Sequence, residues 1–211
     1  MSRSQELKAS PPMFRSPVLD RFTRVHHLVP VVIFGPACGV LLIAGANRVE
    51  LLNALLVALA GYVFWTLAEY WLHRVLFHLE PEEGVGARLH WMIHGVHHDH
   101  PNDPLRLVMP PGVSVPLGLA FMVLFWQALG WSYAMPFGAG FLGGYLAYDM
   151  LHYHVHHHVP RTRLGRRLRE LHMRHHFQDD TRGFGISAPY WDTIFRTATR
   201  SETSRGQPAG E

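Results

Sequence analysis

The chain has 211 residues, enough for one domain, with 48% apolar residues, a formal net charge of +3 and one cysteine, Cys38. A lone cysteine excludes an intrachain disulfide framework and any Cys-based zinc site. The basic excess is almost all arginine, with Lys8 the only lysine; because it is segregated from long lipid-soluble stretches, it points to an anionic membrane surface and not to nucleic acid.

In chain order, residues 1–20 read as a flexible tail. Pro11, Pro12 and Pro17 interrupt it, and it has no apolar stretch of signal-peptide length. A basic lead-in, 21–27, precedes the uncharged run 28–46, where Pro30 and Pro36 predict a helix that starts late or kinks. A second apolar run, 51–72, continues into a histidine motif. A polar stretch predicted helical (86–98) and a turn-rich link (99–111) follow. From Leu107 to Tyr148 there are 42 residues without Asp, Glu, Lys or Arg, enough for two spans at roughly 20 residues each. Gly130, Trp131, Met135 and Pro136 mark a reversal, giving spans 113–129 and 134–151. An Arg-rich helix (161–176), a Gly-containing loop and a last segment (189–196) complete a single domain, 21–198; the polar end, 199–211, is expected to be disordered.

Four spans put both termini on one side. Of the 19 Lys and Arg residues, Arg48 alone then falls on the other side, in agreement with the positive-inside rule. The expected fold class is all-α integral membrane, four transmembrane helices with a cytosolic helical cap. A soluble four-helix bundle is the competing reading.

Seventeen histidines are a large excess, and fifteen lie between His73 and His176. They form four clusters: His73 and His78; His94, His97 and His98; 152–158; and His172, His175 and His176. Residues three and four apart share a helix face, so each triplet is expected to point together, as are His152 and His156. His73 and His78, five apart, fit a straight α-helix poorly; either the helix ends between them or they serve different metals. Neutral imidazoles bind iron, zinc, copper and nickel. The best-spaced set, His73, His78, His94, His97, His98, His152, His156, His172, His175 and His176, overfills two tetrahedral zincs but suits two six-coordinate metals with five imidazoles each and a position left for oxygen. His26, His27 and His100 read as interfacial polar residues. His154, His157 and His158 cannot all face one site, and His90 is placed in its surround. Glu69, Asp99, Asp149 and Glu170 are candidate acceptors for the ligands' second N–H. Tyr145 and Tyr148 read either as site residues or as interfacial anchors.

The motifs "EYWLHRVLFH", "HWMIHGVHHDHPND", "YLAYDMLHYHVHH", "LHMRHH" and "GFGISAPYWDTIF" resemble, in order and spacing, the fatty acid 2-hydroxylases of the fatty acid hydroxylase and sterol desaturase superfamily, over about 67–197. The resemblance implies a four-helix membrane base, a cytosolic cap holding two metals through those ten histidines, and O2-dependent hydroxylation of a fatty acyl or sphingolipid chain beside its carbonyl. It also implies iron as the active metal, with zinc able to occupy the sites, and activity roles for Tyr145, Tyr148 and Asp149. Two departures stand out: His157 rivals His156 across a one-residue insertion, and Arg196 stands where the family often has glycine. With no "HPGG" and no room for a fused haem domain, electrons are expected from a separate ferredoxin or b-type cytochrome. The short form points to a bacterial inner membrane, with both termini and the metal site cytoplasmic. The acyl chain is expected to enter near Phe64, Trp65, Trp71 and Phe77. Alternatives are a sterol or carotenoid hydroxylase or desaturase of the same superfamily, and a non-enzymatic membrane metal-binding or transport protein, whose ligands would sit near the bilayer midplane.

Overall fold

The computed structural model describes residues 2–78 and 83–199; the expected disordered tail lies, from residue 200 onwards, outside the described residues. Among these the chain is helical, with no strand. Two short helices, α1 (Arg3–Glu6) and α2 (Pro17–Phe22), precede the long α3 (Leu28–Ala46) and α4 (Leu51–Trp71). α4 runs on into a π-helical turn, Leu72–Phe77. Then come α5 (Gly84–His90), a second π-turn (Trp91–Gly95), α6 (Val96–Asp99), α7 (Pro111–His157), α8 (Arg163–Phe177) and α9 (Tyr190–Ile194).

α3, α4 with its π-turn, and α7 are long and apolar enough to cross a membrane. Many of their large side chains, such as Val32, Leu55, Leu59, Leu119 and Val123, are exposed. A soluble bundle would bury these, so the outward apolar faces mark a membrane protein. α3 begins at Leu28 itself. Pro30 sits in its first turn, where a backbone N–H has no helical partner to lose, and Pro36 is carried inside the helix.

A straight α7 would be about 70 Å long, more than twice a bilayer core of about 30 Å. It is folded back at Gly130, whose φ of 71° and ψ of 163° break the helix and use glycine's freedom at positive φ. Ring contacts nest around that point: Trp126 on Trp131, Phe125 on Phe137 at 4.8 Å, and Phe121 on Phe141 at 4.7 Å. α7 is therefore an antiparallel hairpin, and three long helices supply four membrane-crossing segments. The second half of α7 lies against α4 at backbone contact. A Cβ on Gly61 would come within 2.0 Å of the Phe137 carbonyl oxygen, and one on Gly140 within 1.7 Å of that of Ala58. Phe34, Trp65, Phe125, Phe141, Tyr145 and Tyr148 fill the core between the helices.

The segment expected as a flexible tail, 1–20, contributes to a strap. The Met13 amide donates to Asp20 at 2.7 Å, and the Asp20 carboxylate pairs with Arg24 and Arg106, both at 3.0 Å. The Val25 amide donates to the Leu105 carbonyl at 2.6 Å. Val25, Leu107 and Val108 form a small second core with Met150 and Tyr153 on α7. The strap thereby buttresses the C-terminal end of α7, the end that carries histidines.

Candidate metal centre

All ten histidines singled out by their spacing converge at the C-terminal ends of α4 and α7, where α6 and α8 meet them. They form two groups of five: His73, His78, His94, His98 and His175; and His97, His152, His156, His172 and His176. Within each group one ring nitrogen of every residue lies within 4.8 Å of the others. The groups adjoin, with the His98 and His176 rings stacked at 4.3 Å.

The five-residue spacing of His73 and His78 is explained by the π-turn Leu72–Phe77. Its i→i+5 period brings residues five apart onto one face, and the two Nε2 atoms are 3.2 Å apart. Both serve the same group, so they do not hold different metals, while the helix does end between them, at Phe77, with His78 as its C-cap. The triplets differ from expectation. His94 and His98 stay together, but His97 crosses to the second group; His172 and His176 stay together, but His175 crosses to the first. A residue four along an α-helix sits about 40° to one side of its starting point, and one three along about 60° to the other. Two sites astride one helix face therefore divide the triplet between them. Each group thus takes a pair from a membrane helix end, a pair from one triplet and a single histidine from the other.

The nitrogens are spaced for ligation. Nε2–Nε2 distances are 3.2 Å for His73–His94, 3.0 Å for His94–His98, 2.7 Å for His156–His172 and 3.1 Å for His172–His176. Two ligands at right angles on one metal, each at about 2.1 Å, lie about 3 Å apart, against about 3.4 Å for a tetrahedral pair. His97 Nε2, His152 Nε2 and His175 Nε2 are buried without a hydrogen-bond partner. Burial, then neighbouring imidazoles, pushes His97 and His78 down to about 3 and holds His94, His172 and His176 well below the usual histidine range. The rings are therefore neutral at physiological pH, the form a metal requires. Donor type, spacing and orphaned nitrogens all fit metal ions.

For two of the ligands, both in the first group, the acceptor for the other N–H is a backbone carbonyl. His73 Nδ1 donates to the Phe184 carbonyl at 2.7 Å and His175 Nδ1 to that of Arg182 at 2.8 Å. The loop supplying them is organised by Asp192, whose carboxylate accepts from the Phe184 amide (2.9 Å), the Gly185 amide (2.8 Å) and the Thr197 hydroxyl (2.8 Å). The Phe184 ring then packs on His73, His78 and His175. Three of the acids expected to bond ligands are engaged elsewhere. Glu69 accepts from the Ser187 amide at 2.7 Å and from its hydroxyl. Asp99 accepts from Trp91 Nε1 at 2.8 Å, and Glu170 pairs with Arg167 and Arg174. Asp149 Oδ2 and both ring nitrogens of His152 have no partner. A carboxylate three or four residues before a histidine lies a turn below it, while the ring turns inward to the cluster. Asp192 and Phe184 were missed as site residues because their contribution runs through backbone groups far along the chain; the quoted "GFG" and "WD" stretches were the only signal.

Asp149 and Tyr148 are buried on the second half of α7. Tyr148 stacks on His152 at 5.6 Å and Phe77 on His94 at 5.1 Å. These two rings top a narrow apolar cleft between α4 and the α7 hairpin, with about 30 Å³ open to a water-sized molecule, lined also by Trp65, Leu72, Phe121, Phe141 and Tyr145. Of the expected acyl-entry residues, Trp65 and Phe77 line it. Phe64 packs instead on Phe125, Phe137 and Phe141, and Trp71 on Tyr70 and Phe195. The remaining histidines lie outside the groups. His157 packs at a tilt on Tyr153, His154 stacks on His158, His26 packs on His27, His90 bonds the Phe77 carbonyl at 2.5 Å, and His100 bonds that of Glu6 at 2.6 Å. His156, not its rival His157, takes the place in the second group.

A family described as fatty acid hydroxylase matches residues 58–197. The chain is 35% identical over 193 residues to the dihydroceramide fatty acyl 2-hydroxylase FAH2 of Arabidopsis thaliana, covering 89% of this chain and 79% of that one. It is 34% identical over 193 residues to the ceramide very long chain fatty acid hydroxylase SCS7 of Saccharomyces cerevisiae, covering 90% of this chain and 50% of that one. To the fatty acid 2-hydroxylase of Mus musculus it is 40% identical over 148 residues, covering 67% and 39%. The chain therefore spans half or less of the yeast and mouse proteins. A solved structure described as full-length scs7p, with only the hydroxylase domain visible, superposes with a TM-score of 0.84 at 32% identity, covering 92% of this chain and 72% of that one.

Proposed function

The chain belongs to the fatty acid hydroxylase family, and from that membership we propose that it is a membrane-bound, O2-dependent oxidoreductase that hydroxylates a lipid acyl chain at the carbon beside the carbonyl. The observation that carries this reading is the apolar cleft, which ends at one ring stacked on each histidine group. A greasy chain lying in it presents a methylene to both groups at once.

The overall change takes one acyl C–H bond, O2, two electrons and two protons to an alcohol and water. Two iron ions, each held by five imidazoles, would supply oxygen activation and C–H cleavage, chemistry the side chains cannot perform and zinc, without redox activity, would not. The chain's own part is placement. Phe77, Phe184 and Tyr148 wall the groups with rings and keep water out. Tyr148, Tyr145 and Asp149 are assigned the positioning of substrate beneath His152. The substrates named for the relatives, dihydroceramide and ceramide acyl chains, support a sphingolipid-linked acyl group here. Electrons come from a separate redox protein, a ferredoxin or b-type cytochrome. A bacterial inner membrane with the site and both termini cytoplasmic belongs to this reading; the orientation is supported by the arginines, which accompany the histidines at one end. A transporter would hold its ligands at mid-membrane, whereas these sit at the helix ends.

Lipid mass spectrometry on cells expressing the wild type and His175→Ala, grown under labelled dioxygen, tests the proposal. One labelled oxygen beside the acyl carbonyl, in the wild type only, is expected. Equal labelled product from both would sink the site assignment, and labelled product at another carbon would sink the regiochemistry.

A further inference from the structure

The cleft has a floor. Its walls are three helical windows of equal length: 65–72 on α4, and 114–121 and 141–148 on the two halves of α7. Each window is two turns, about 10 Å. One further turn separates Tyr148 from His152, so the imidazoles stand about 16 Å above the bottom of the cleft, the length of roughly a dozen extended methylenes. At the bottom the Phe121 and Phe141 rings meet at 4.7 Å. Beneath them lies a second aromatic layer, Phe125 at 5.0 Å from Phe141 and 4.8 Å from Phe137. These four rings leave an acyl tail no straight way down.

We propose that the Phe121–Phe141 ring pair is the stop that sets which acyl lengths are hydroxylated, favouring chains of roughly fourteen carbons over very long ones. This rests on the acyl-hydroxylase reading above. Phe141 is 1% exposed and touches Phe64, Trp65 and Phe125, so its loss would disturb the bundle. Phe121 is only half-buried, with ring partners Phe125 and Phe141, and can be cut back. Removing its ring lowers the floor toward the Phe125 layer, one turn or about 6 Å down, room for about four more carbons. Leu117, which lines the cleft one turn above Phe121, raises the floor by a similar amount when enlarged.

The test uses the full chain expressed in cells fed a ladder of saturated fatty acids from medium to very long, with 2-hydroxy acyl chains released from total lipid and measured by mass spectrometry. Phe121→Ala, with Phe121→Leu as the milder variant, is expected to raise the ratio of products of about eighteen carbons to those of about fourteen by about ten-fold or more, and Leu117→Phe to lower it. Bound metal per chain, unchanged from wild type, shows that the variants fold. A product profile that peaks at very long chains in the wild type, or is identical in all variants, overturns the stop. An absence of 2-hydroxy product from the wild type overturns the acyl-hydroxylase reading itself and the stop with it.

Discussion

The two histidine groups have the same membership by count and are built differently. The first rests on a π-turn with a five-residue histidine spacing, and a loop from the end of the domain clamps it: the carbonyls of Arg182 and Phe184 hold His175 and His73. The second rests on α7 with the four-residue spacing of His152 and His156, and the Nδ1 atoms of His152, His156, His172 and His176 have no protein partner. Its support is behind the helix. Arg169 of α8 donates to the carbonyls of Val155, His156 and His158 at the end of α7, and the N-terminal strap packs on Met150 and Tyr153. The same arrangement of ring nitrogens is thus reached with two helical periods and two kinds of buttress. Where the nitrogens must sit is constrained; how the backbone delivers them is not.

The largest expected effect comes from the crossing histidines. His175→Ala should lower metal at the first group and His97→Ala at the second, each taking activity below detection. Metal-edge anomalous scattering on each variant distinguishes the groups, and loss from the group each triplet occupies in sequence would break the pairing described here. Next is the strap. Asp20→Ala leaves the buried Arg106 guanidinium without its carboxylate, a loss of about 3 kcal/mol, and should open the 13–25 segment to protease while sparing the first group. Burial tends to raise the Asp20 carboxyl, but the Met13 amide and the Arg24 and Arg106 guanidiniums outweigh it and hold it below its ordinary value. Its contribution is therefore present at neutral pH and lost as pH falls through that lowered value, so acid should expose the same protease site in the wild type.

Asp192→Ala acts on the opposite clamp. With the Phe184 and Gly185 amides unsatisfied, the carbonyl on His73 drifts, and metal affinity at the first group should fall about 10–100-fold with the second unchanged. Equal loss from both groups on chelator titration would argue that the loop serves the whole cap. The smallest effect is a gain. Arg196 is exposed and has a φ of 60°, the left-handed region where a side chain is penalised. Arg196→Gly should raise stability by about 1 kcal/mol, read as a higher Tm with hydroxylation unchanged.

That position shows what sequence reading reaches. The glycine expected after "WDTIF" was noticed as missing, but only the backbone angle says why glycine suits it. Likewise the uncharged runs, the turn at Gly130 and the ten histidines were legible, because lipid exposure and metal ligation each demand residue types that little else in a chain requires. The carboxylate partners were misassigned for the opposite reason: a backbone carbonyl can accept from an imidazole whatever its side chain, so Arg182 and Phe184 carry no mark in composition.

By itself, then, the sequence determined an all-helical membrane chain with ten imidazoles gathered at one end, since hydrophobic length and ligand chemistry are properties of residues. The tertiary structure alone decided how those ten divide into two fives. A helix face offers residues three and four along to opposite sides, and a π-turn realigns residues five apart. Which neighbour each ring meets depends on what packs across from it.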